Sequence, residues 1–204
     1  MDDVFYPFLC VLRASNELQA GRDPKPAIEE GLQAIAQSRK KAPKLVTLFT
    51  AEAALHLLAG RSAGLVAQAE EHWLRAVTAA QKAVELGPQD ADAHGRLCES
   101  LRYAATGRVR RPRLPAALAV ETHQWIDRGL KECAAALAIH PTLALAYANR
   151  GALLTLQAEQ EPNSTTRQVI AGSARESLEK ALTINQWRRR EWGPLLTAAN
   201  AIRP

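Results

Sequence analysis

The sequence predicts an all-α protein, built as a solenoid of four long helical hairpins with a C-terminal capping helix. Apolar residues recur at steps of three and four, the period of one helix face, as in the stretch 129–154. Prolines that would end a helix recur at Pro43, Pro88 and Pro141, at intervals of 45 and 53 residues. Aromatic residues make up only 5% of the chain, which favours close-packed helices over a β-sandwich.

The same pattern of small and aromatic residues surrounds each proline. Small residues stand twelve and five positions before it and ten after it, and an aromatic residue or histidine stands six after it. In repeat order these are Gly31, Ser38, Ala53 and Phe49; Ala76, Ala83, Cys98 and His94; Gly129, Ala136, Gly151 and Tyr147. A fourth copy has Gln186 in place of proline, with Ala174, Ala181 and Trp192. Repetition of this kind indicates stacked hairpins.

The first two hairpins follow from this register. Helices are predicted over residues 6–19 and 25–39, and then over 44–59 and 65–86. Pro7 fits the first helical turn, where its missing N–H is not needed.

The last two hairpins are predicted over residues 90–106 and 117–139, and over 142–158 and 167–184. The segment 107–115 has no helical period and accounts for the longer interval, so we expect a mobile surface loop there.

A final helix, ending near residue 201, is expected to cover the open side of the fourth hairpin, because an uncovered end repeat exposes apolar surface. We therefore predict a single solenoid domain over 1–204. Its repeats and capping helix are predicted at 1–43, 44–88, 89–141, 142–186 and 187–204.

This spacing resembles the tetratricopeptide repeat (TPR) family. That family has an aromatic and then a small residue on the first helix, alanines on the second helix and a closing proline. The matching residues are the aromatic Tyr6, Phe49, Tyr147 and Trp192, the small Cys10, Ala53, Cys98 and Gly151, and the alanines Ala76, Ala83, Ala136, Ala174 and Ala181. The resemblance covers nearly the whole chain and implies a right-handed solenoid. Two departures are His94 at an aromatic position and units longer than the standard ~34 residues.

The stretch AGRDPKPAIEEGL, which opens a second helix, is similar to the repeat region of large bacterial serine/threonine protein kinases. This resemblance implies a non-catalytic interaction module, a scaffold or adaptor, in the regulatory region of such a kinase. The H-R-D and D-F-G signatures of a kinase catalytic domain are absent from the sequence. A parent protein would carry that domain separately.

In TPR proteins, the concave face lined by the first helices binds the partner. The matching positions are Phe8, Ala51, Arg96, Asn149, Val11, Ala54, Glu99 and Ala152, joined further along by Arg102 and Tyr103. We predict a protein or peptide segment bound by Arg96, Glu99, Arg102, Tyr103 and Asn149. The Arg96 fork suits a carboxylate, and the Asn149 amide both donates and accepts. The alternative is that Arg96 pairs with Glu99 on its own helix and contacts no partner.

The second hypothesis is a helical repeat that binds nucleic acid or phosphate through the basic loop Arg108, Arg110, Arg111 and Arg113. The net charge of +5 is mild, and Tyr103 is the nearby aromatic able to stack on a base. The sequence therefore favours a protein partner.

No motif supports an enzyme, a cofactor or a metal centre. The sequence has no G-x-G-x-x-G, phosphate loop, G-x-S-x-G or H-E-x-x-H. His94 and Cys98 share a helix face, but two ligands do not make a site, and Cys98 occupies a packing position. His72 and His123, which lie near Trp73 and Trp125, are interpreted as ordinary helix-surface or boundary residues.

Three cysteines without a C-x-x-C pair favour a reducing compartment over a disulfide framework. The acidic N-terminus has too short an apolar run for a secretory signal, and no run of ~18 apolar residues predicts a membrane span. We expect a cytoplasmic protein without membrane contact. The sequence carries no signature of an oligomeric state.

Overall fold

The computed structural model describes residues 5–109, 111 and 114–203, and this part of the chain contains helices and no strand. The helices are α1 (Tyr6–Gln19), α2 (Lys25–Lys41), α3 (Val46–Ser62), α4 (Val66–Leu86), α5 (Ala91–Val109), α6 (Ala116–Ile139), α7 (Ala144–Gln160), α8 (Ser164–Ile184) and α9 (Arg189–Asn200). A 3-10 turn, Gln186–Arg188, precedes α9. The chain divides into two compact units, Met1–Ser100 and Leu101–Pro204, with the boundary inside α5. Each unit is described by itself.

One backbone arrangement, called the joint from here on, ends each of the helices α2, α4, α6 and α8. Its central residue is Ala42, Gly87, His140 or Asn185, each extended with φ between −130° and −138°. In every joint the N–H of this residue donates to the carbonyl four positions back, at 2.8–2.9 Å. Its own carbonyl accepts from the N–H three positions ahead, at 3.0–3.2 Å. Three of the four residues precede proline, which disfavours helical backbone there.

The first unit is built around α3, whose sequence is apolar on almost every side. A helix of this composition must be covered all round, and α3 contacts α1, α2 and α4. Leu48 and Leu55 are fully buried and lie in one cluster with Ile28 and Ile35 of α2. Against α4 the approach is close, because a Cβ on Gly60 would lie 2.3 Å from Nε1 of Trp73.

The second unit packs α7 against α6, α8 and α9. The absence of a side chain at Gly151 permits the contact with α8, since a Cβ there would lie 2.5 Å from Cγ of Leu178 and 2.9 Å from the carbonyl oxygen of Ala174. Helix α9 covers this hairpin through Trp192, which is buried in a cluster with Ala181 and Leu182.

The all-α class and the positions of the helices are confirmed. All but one of the small residues named around the joints are buried, and the exception, Ser38, is half-buried. The buried ones are Gly31, Ala53, Ala76, Ala83, Cys98, Gly129, Ala136, Gly151, Ala174 and Ala181. The aromatic positions differ, since Phe49 and Tyr147 are only half-buried. The Arg39 guanidinium lies 4.0 Å from the Phe49 ring centroid, so a charged side chain rather than the core covers that ring.

The cysteines differ from expectation in part. Cys10 is a buried free thiol, whereas Cys98 and Cys133 are disulfide-bonded. The sequence favoured a reducing compartment over a disulfide framework and gave no signal for a disulfide at these two residues. Among the described helices, none has the length and apolar character needed to cross a membrane.

Candidate functional site

Helix α5 carries four of the five residues predicted to meet a partner, and the first two form an ion pair. Arg96 donates from Nη1 to Oε2 of Glu99, one turn further along the helix. The Arg96 side chain is 27% exposed and that of Glu99 only 9%. The alternative considered from the sequence, pairing of Arg96 with its own helix, is thus what the structure contains. Of the two side chains, only that of Arg96 is exposed enough to contact a partner.

The other polar group of the predicted face joins α5 to α7. Arg102 donates from Nε to Oδ1 of Asn149 at 2.7 Å, and both side chains are buried. The Arg102 guanidinium carbon also lies 3.8 Å from the ring centroid of Tyr103, which is half-buried. Nδ2 of Asn149 is buried without a hydrogen-bond partner in the described part of the chain. Arg102 and Asn149 therefore hold the two helices together, and the expectation that Asn149 lies open to a partner is wrong.

The remaining positions assigned to the concave face are also covered. Ala51, Ala54 and Ala152 are buried, and Phe8 and Val11 are half-buried against the core of the first unit. Helices α3 and α7 are each packed against three other helices, which covers Ala51, Ala54 and Ala152.

The basic segment begins inside α5 rather than in a loop. Gly107, Arg108 and Val109 are helical, and Arg108 is buried. Its Nη1 donates to Oε2 of Glu121 on α6, and its guanidinium carbon lies 3.9 Å from the Trp125 ring centroid. A neutralised and covered arginine is a poor phosphate ligand. The prediction of a mobile basic loop is therefore wrong at Arg108.

The rest of the basic segment is described only in part. Arg111 is half-buried, and its N–H donates to the carbonyl of Arg108 at 3.0 Å. Arg110 and Arg113 lie outside the described residues.

The first unit contains an open cleft that the sequence did not predict. It has a volume of about 720 Å³ and lies between α2, α3 and α4, with Arg39, Phe49, Glu52, His56 and Arg75 among its lining residues. Arg39 donates to both carboxylate oxygens of Glu52, so the charges of the two residues offset each other.

A histidine pair lies beside this cleft. Nδ1 of His56 on α3 is 3.3 Å from Nδ1 of His72 on α4, and the ring centroids are 5.6 Å apart. Burial lowers the pKa of His56 to about 4, and burial likewise lowers the pKa of His72. Both rings are thus neutral near pH 7. His72 is half-buried, which agrees with its interpretation as a boundary residue, but its contact with His56 was not predicted.

A signal for this pair was present in the sequence. In an antiparallel hairpin, residues at equal distances from the turn lie opposite one another. His56 and His72 each stand eight positions from Gly64, which lies in the turn between α3 and α4. Measuring distances from the turn, rather than from the closing proline, would have found the pair.

No protein-family model matches the chain, and no curated protein matches it.

Proposed function

We propose that this chain is a non-catalytic protein-interaction module, a scaffold or adaptor made of TPR-like hairpins in a right-handed solenoid. The observation that carries the proposal is the joint shared by α2, α4, α6 and α8, with the same backbone bonds in each. Equivalent joints fit a chain that repeats one hairpin, and stacked hairpins present long surfaces typically used to bind other proteins.

The proposed contact surface is the part of the concave face, lined by the first helix of each hairpin, whose side chains are accessible. Arg96 remains its main polar contact, because the guanidinium is partly exposed and can donate to a second acceptor besides Glu99. Tyr103 is the proposed apolar contact. Arg102 and Asn149 act by positioning Tyr103 and α7. The partner that suits this set is a protein segment with a carboxylate beside an apolar side chain, and no membrane or cofactor is involved.

The wider context is also a proposal. The resemblance of AGRDPKPAIEEGL supports a place in the regulatory region of a bacterial serine/threonine kinase. The proposed location is the cytoplasm. Cell fractionation tests it.

The experiment is identification of a partner by pull-down, followed by affinity measurements with Arg96→Ala and Tyr103→Ala. We expect each variant to lose tenfold or more in affinity with a melting temperature close to that of the parent. Arg150→Ala is the matched control, because Arg150 is an exposed arginine on α7 outside the proposed surface. Parent-like affinity of both variants would contradict the proposed surface.

Salt dependence separates this function from nucleic-acid or phosphate binding. Contacts to phosphates release counterions, so affinity would then fall steeply between about 50 and 200 mM salt. A protein segment held by one charge and apolar contact should lose much less. A steep loss that survives in Arg96→Ala would favour the basic segment.

A further inference from the structure

Trp187 is the tryptophan that the fold leaves uncovered. Its exposed fraction is 88%, whereas Trp192 is buried and Trp73 and Trp125 are half-buried. It stands in the 3-10 turn Gln186–Arg188, between α8 and α9. An indole ring is mostly buried in folded proteins, because its large apolar surface is unfavourable in water. The packing of the second unit therefore gives no reason for a tryptophan at this position.

The other three joints show that the backbone does not require an aromatic residue here. The position two after the central residue of the joint is exposed in all four joints, and in the other three it is polar. The four residues are Lys44, Gln89, Thr142 and Trp187. Since the same backbone bonds form in each joint, a polar residue would serve the fold equally well. The indole of the fourth joint is thus open to contact with a ligand.

Three exposed arginines, Arg188, Arg189 and Arg190, follow the indole. Arg188 pairs with Glu191, but the side chains of Arg189 and Arg190 form no hydrogen bond or ion pair with the described part of the chain. Their position is unfavourable for the fold, because α9 begins at Arg189 and cations at a helix N-terminus oppose the helix dipole. Two guanidinium groups that the fold does not use can therefore bind an anion.

The positive charge of the chain is concentrated at this end. Residues 180–204 contain five basic residues and one acidic residue, a net charge of +4 out of the +5 of the whole chain. The residues that match 188–190 at the other three joints are 45–47, 90–92 and 143–145, and they include no arginine or lysine. A polyanion is therefore attracted mainly to the fourth joint and the helix that follows it.

This combination suits a single-stranded nucleic acid better than a protein surface. The core of a protein–protein interface is depleted of charged residues, whereas cations directly follow Trp187. A single strand alternates flat bases with phosphates. The open face of an indole stacks on any base, and a guanidinium fork binds phosphate oxygens. Because neither contact reads the edge of a base, we expect little sequence preference.

We propose that Trp187, Arg189 and Arg190 form a contact site for single-stranded nucleic acid. Trp187 stacks on a base, and the two arginines bind the phosphates on either side of it. The site is separate from Arg96 and Tyr103, and it does not depend on the function proposed for them.

The test is fluorescence anisotropy of the full chain with labelled oligo(dT) of about 15 nucleotides, at about 50 mM salt. We expect saturable binding, with quenching of tryptophan fluorescence. Trp187→Thr, which introduces the residue type of the α6–α7 joint, should lose about tenfold or more in affinity and most of the quenching. Trp187→Phe should lose less. Arg189→Gln and Arg190→Gln should each reduce the slope of log K against log salt by about 0.7.

Arg150→Gln is the matched control, because it removes an exposed arginine of the second unit that lies outside the site. Arg96→Ala and Tyr103→Ala should bind oligo(dT) like the parent, so a failure here is distinguishable from a failure of the protein-binding surface. Circular dichroism checks that each variant folds. Absence of saturable binding, parent-like affinity of Trp187→Thr, or equal losses from Arg150→Gln and Arg190→Gln would overturn the proposal. Competition by a polyglutamate peptide as strong as that by unlabelled oligo(dT) would overturn it in favour of an acidic protein.

Discussion

Arg102 donates a hydrogen bond to Asn149 at 2.7 Å, and it does so between two side chains that are almost completely buried. An arginine removed from water requires an acceptor for its N–H groups, since an unmet donor near a charge is costly. Asn149 supplies that acceptor from a helix 47 positions away in sequence. The pair therefore fixes α7 against α5 within the second unit, and it keeps the Arg102 guanidinium over Tyr103.

The first prediction follows from this bond. Asn149→Ala should lower the free energy of unfolding by about 1–3 kcal/mol, because Arg102 Nε would remain buried without its acceptor. Asn149→Asp should lose less, since it keeps an acceptor and adds an opposite charge. Urea unfolding measures both. Arg150→Ala on the exposed neighbouring position should stay within about 0.5 kcal/mol of the parent. Equal stability of Asn149→Ala and Arg150→Ala would contradict a structural role for the bond.

The second prediction concerns the close approach of α7 and α8. Gly151→Ala should destabilise by about 1–3 kcal/mol through overpacking, because the new Cβ would meet Leu178 Cγ at 2.5 Å and a backbone oxygen. Gly151→Leu should be worse. Thermal or urea unfolding of the variants provides the measurement.

The matched control for that prediction is Gly172→Ala on α8. A Cβ at Gly172 would meet only the end of the Arg175 side chain, at 3.8 Å. Alanine is the better helix former, so this variant should gain about 0.5–1 kcal/mol. Should both alanine variants stabilise the protein, the close contact at Gly151 would be ruled out.

The repeat could be predicted from sequence because it depends on local chemistry. A small residue must stand wherever two helices approach closely, and the residue before a proline leaves the helical region whatever surrounds it. Gly151 therefore stands ten positions after Pro141. Ala174 and Ala181 stand twelve and five positions before Gln186, the distances that small residues keep at the other joints. The fourth joint shows the limit of the proline signal, since Asn185 adopts the same geometry before a glutamine.

The candidate site was less predictable because long polar side chains are placed by distant partners. Arg108 and Asn149 looked accessible on sequence grounds, yet Glu121, Trp125 and Arg102 cover them. Those partners lie on other helices, and their directions depend on how the helices pack. The pairing of His56 with His72 was missed for a different reason, because distances were measured from the closing proline and not from the turn at Gly64.

The third prediction is a loss of stability in acid from His56. Burial lowers its pKa from 6.5 to about 4, so between these values the unfolded chain binds a proton at His56 that the folded protein does not. The contribution of the neutral His56 to the free energy of unfolding is intact above pH 6.5, falls as the pH drops, and is fully lost below about pH 4. The loss is on the order of 3–4 kcal/mol, from about 1.4 kcal/mol for each unit by which the pKa is lowered.

The measurement is the free energy of unfolding between pH 7.5 and 4. The titratable and charged groups that act on the His56 ring, Glu52, His72 and Arg75, remain in all variants. In His56→Gln the curve should be flatter over this range than in the parent, while His123→Ala should follow the parent. Parallel curves for the parent and His56→Gln would contradict a buried neutral His56.

The last prediction compares two similar arginines in different surroundings. Arg108 is buried, pairs with Glu121 and lies 3.9 Å from the Trp125 ring centroid. Arg188 repeats this combination with Glu191 and with Trp192, whose ring centroid is 5.8 Å away, but its side chain is 45% exposed. An exposed ion pair contributes about 0–1 kcal/mol, whereas breaking a covered one leaves a charge partly desolvated. Arg108→Ala should therefore lower the free energy of unfolding by about 2–4 kcal/mol, and Arg188→Ala by less than about 1 kcal/mol. Urea unfolding at low and high salt measures the difference, and salt should weaken the Arg188 contribution more. Equal small losses at both positions would restore the view of Arg108 as part of a solvated basic loop.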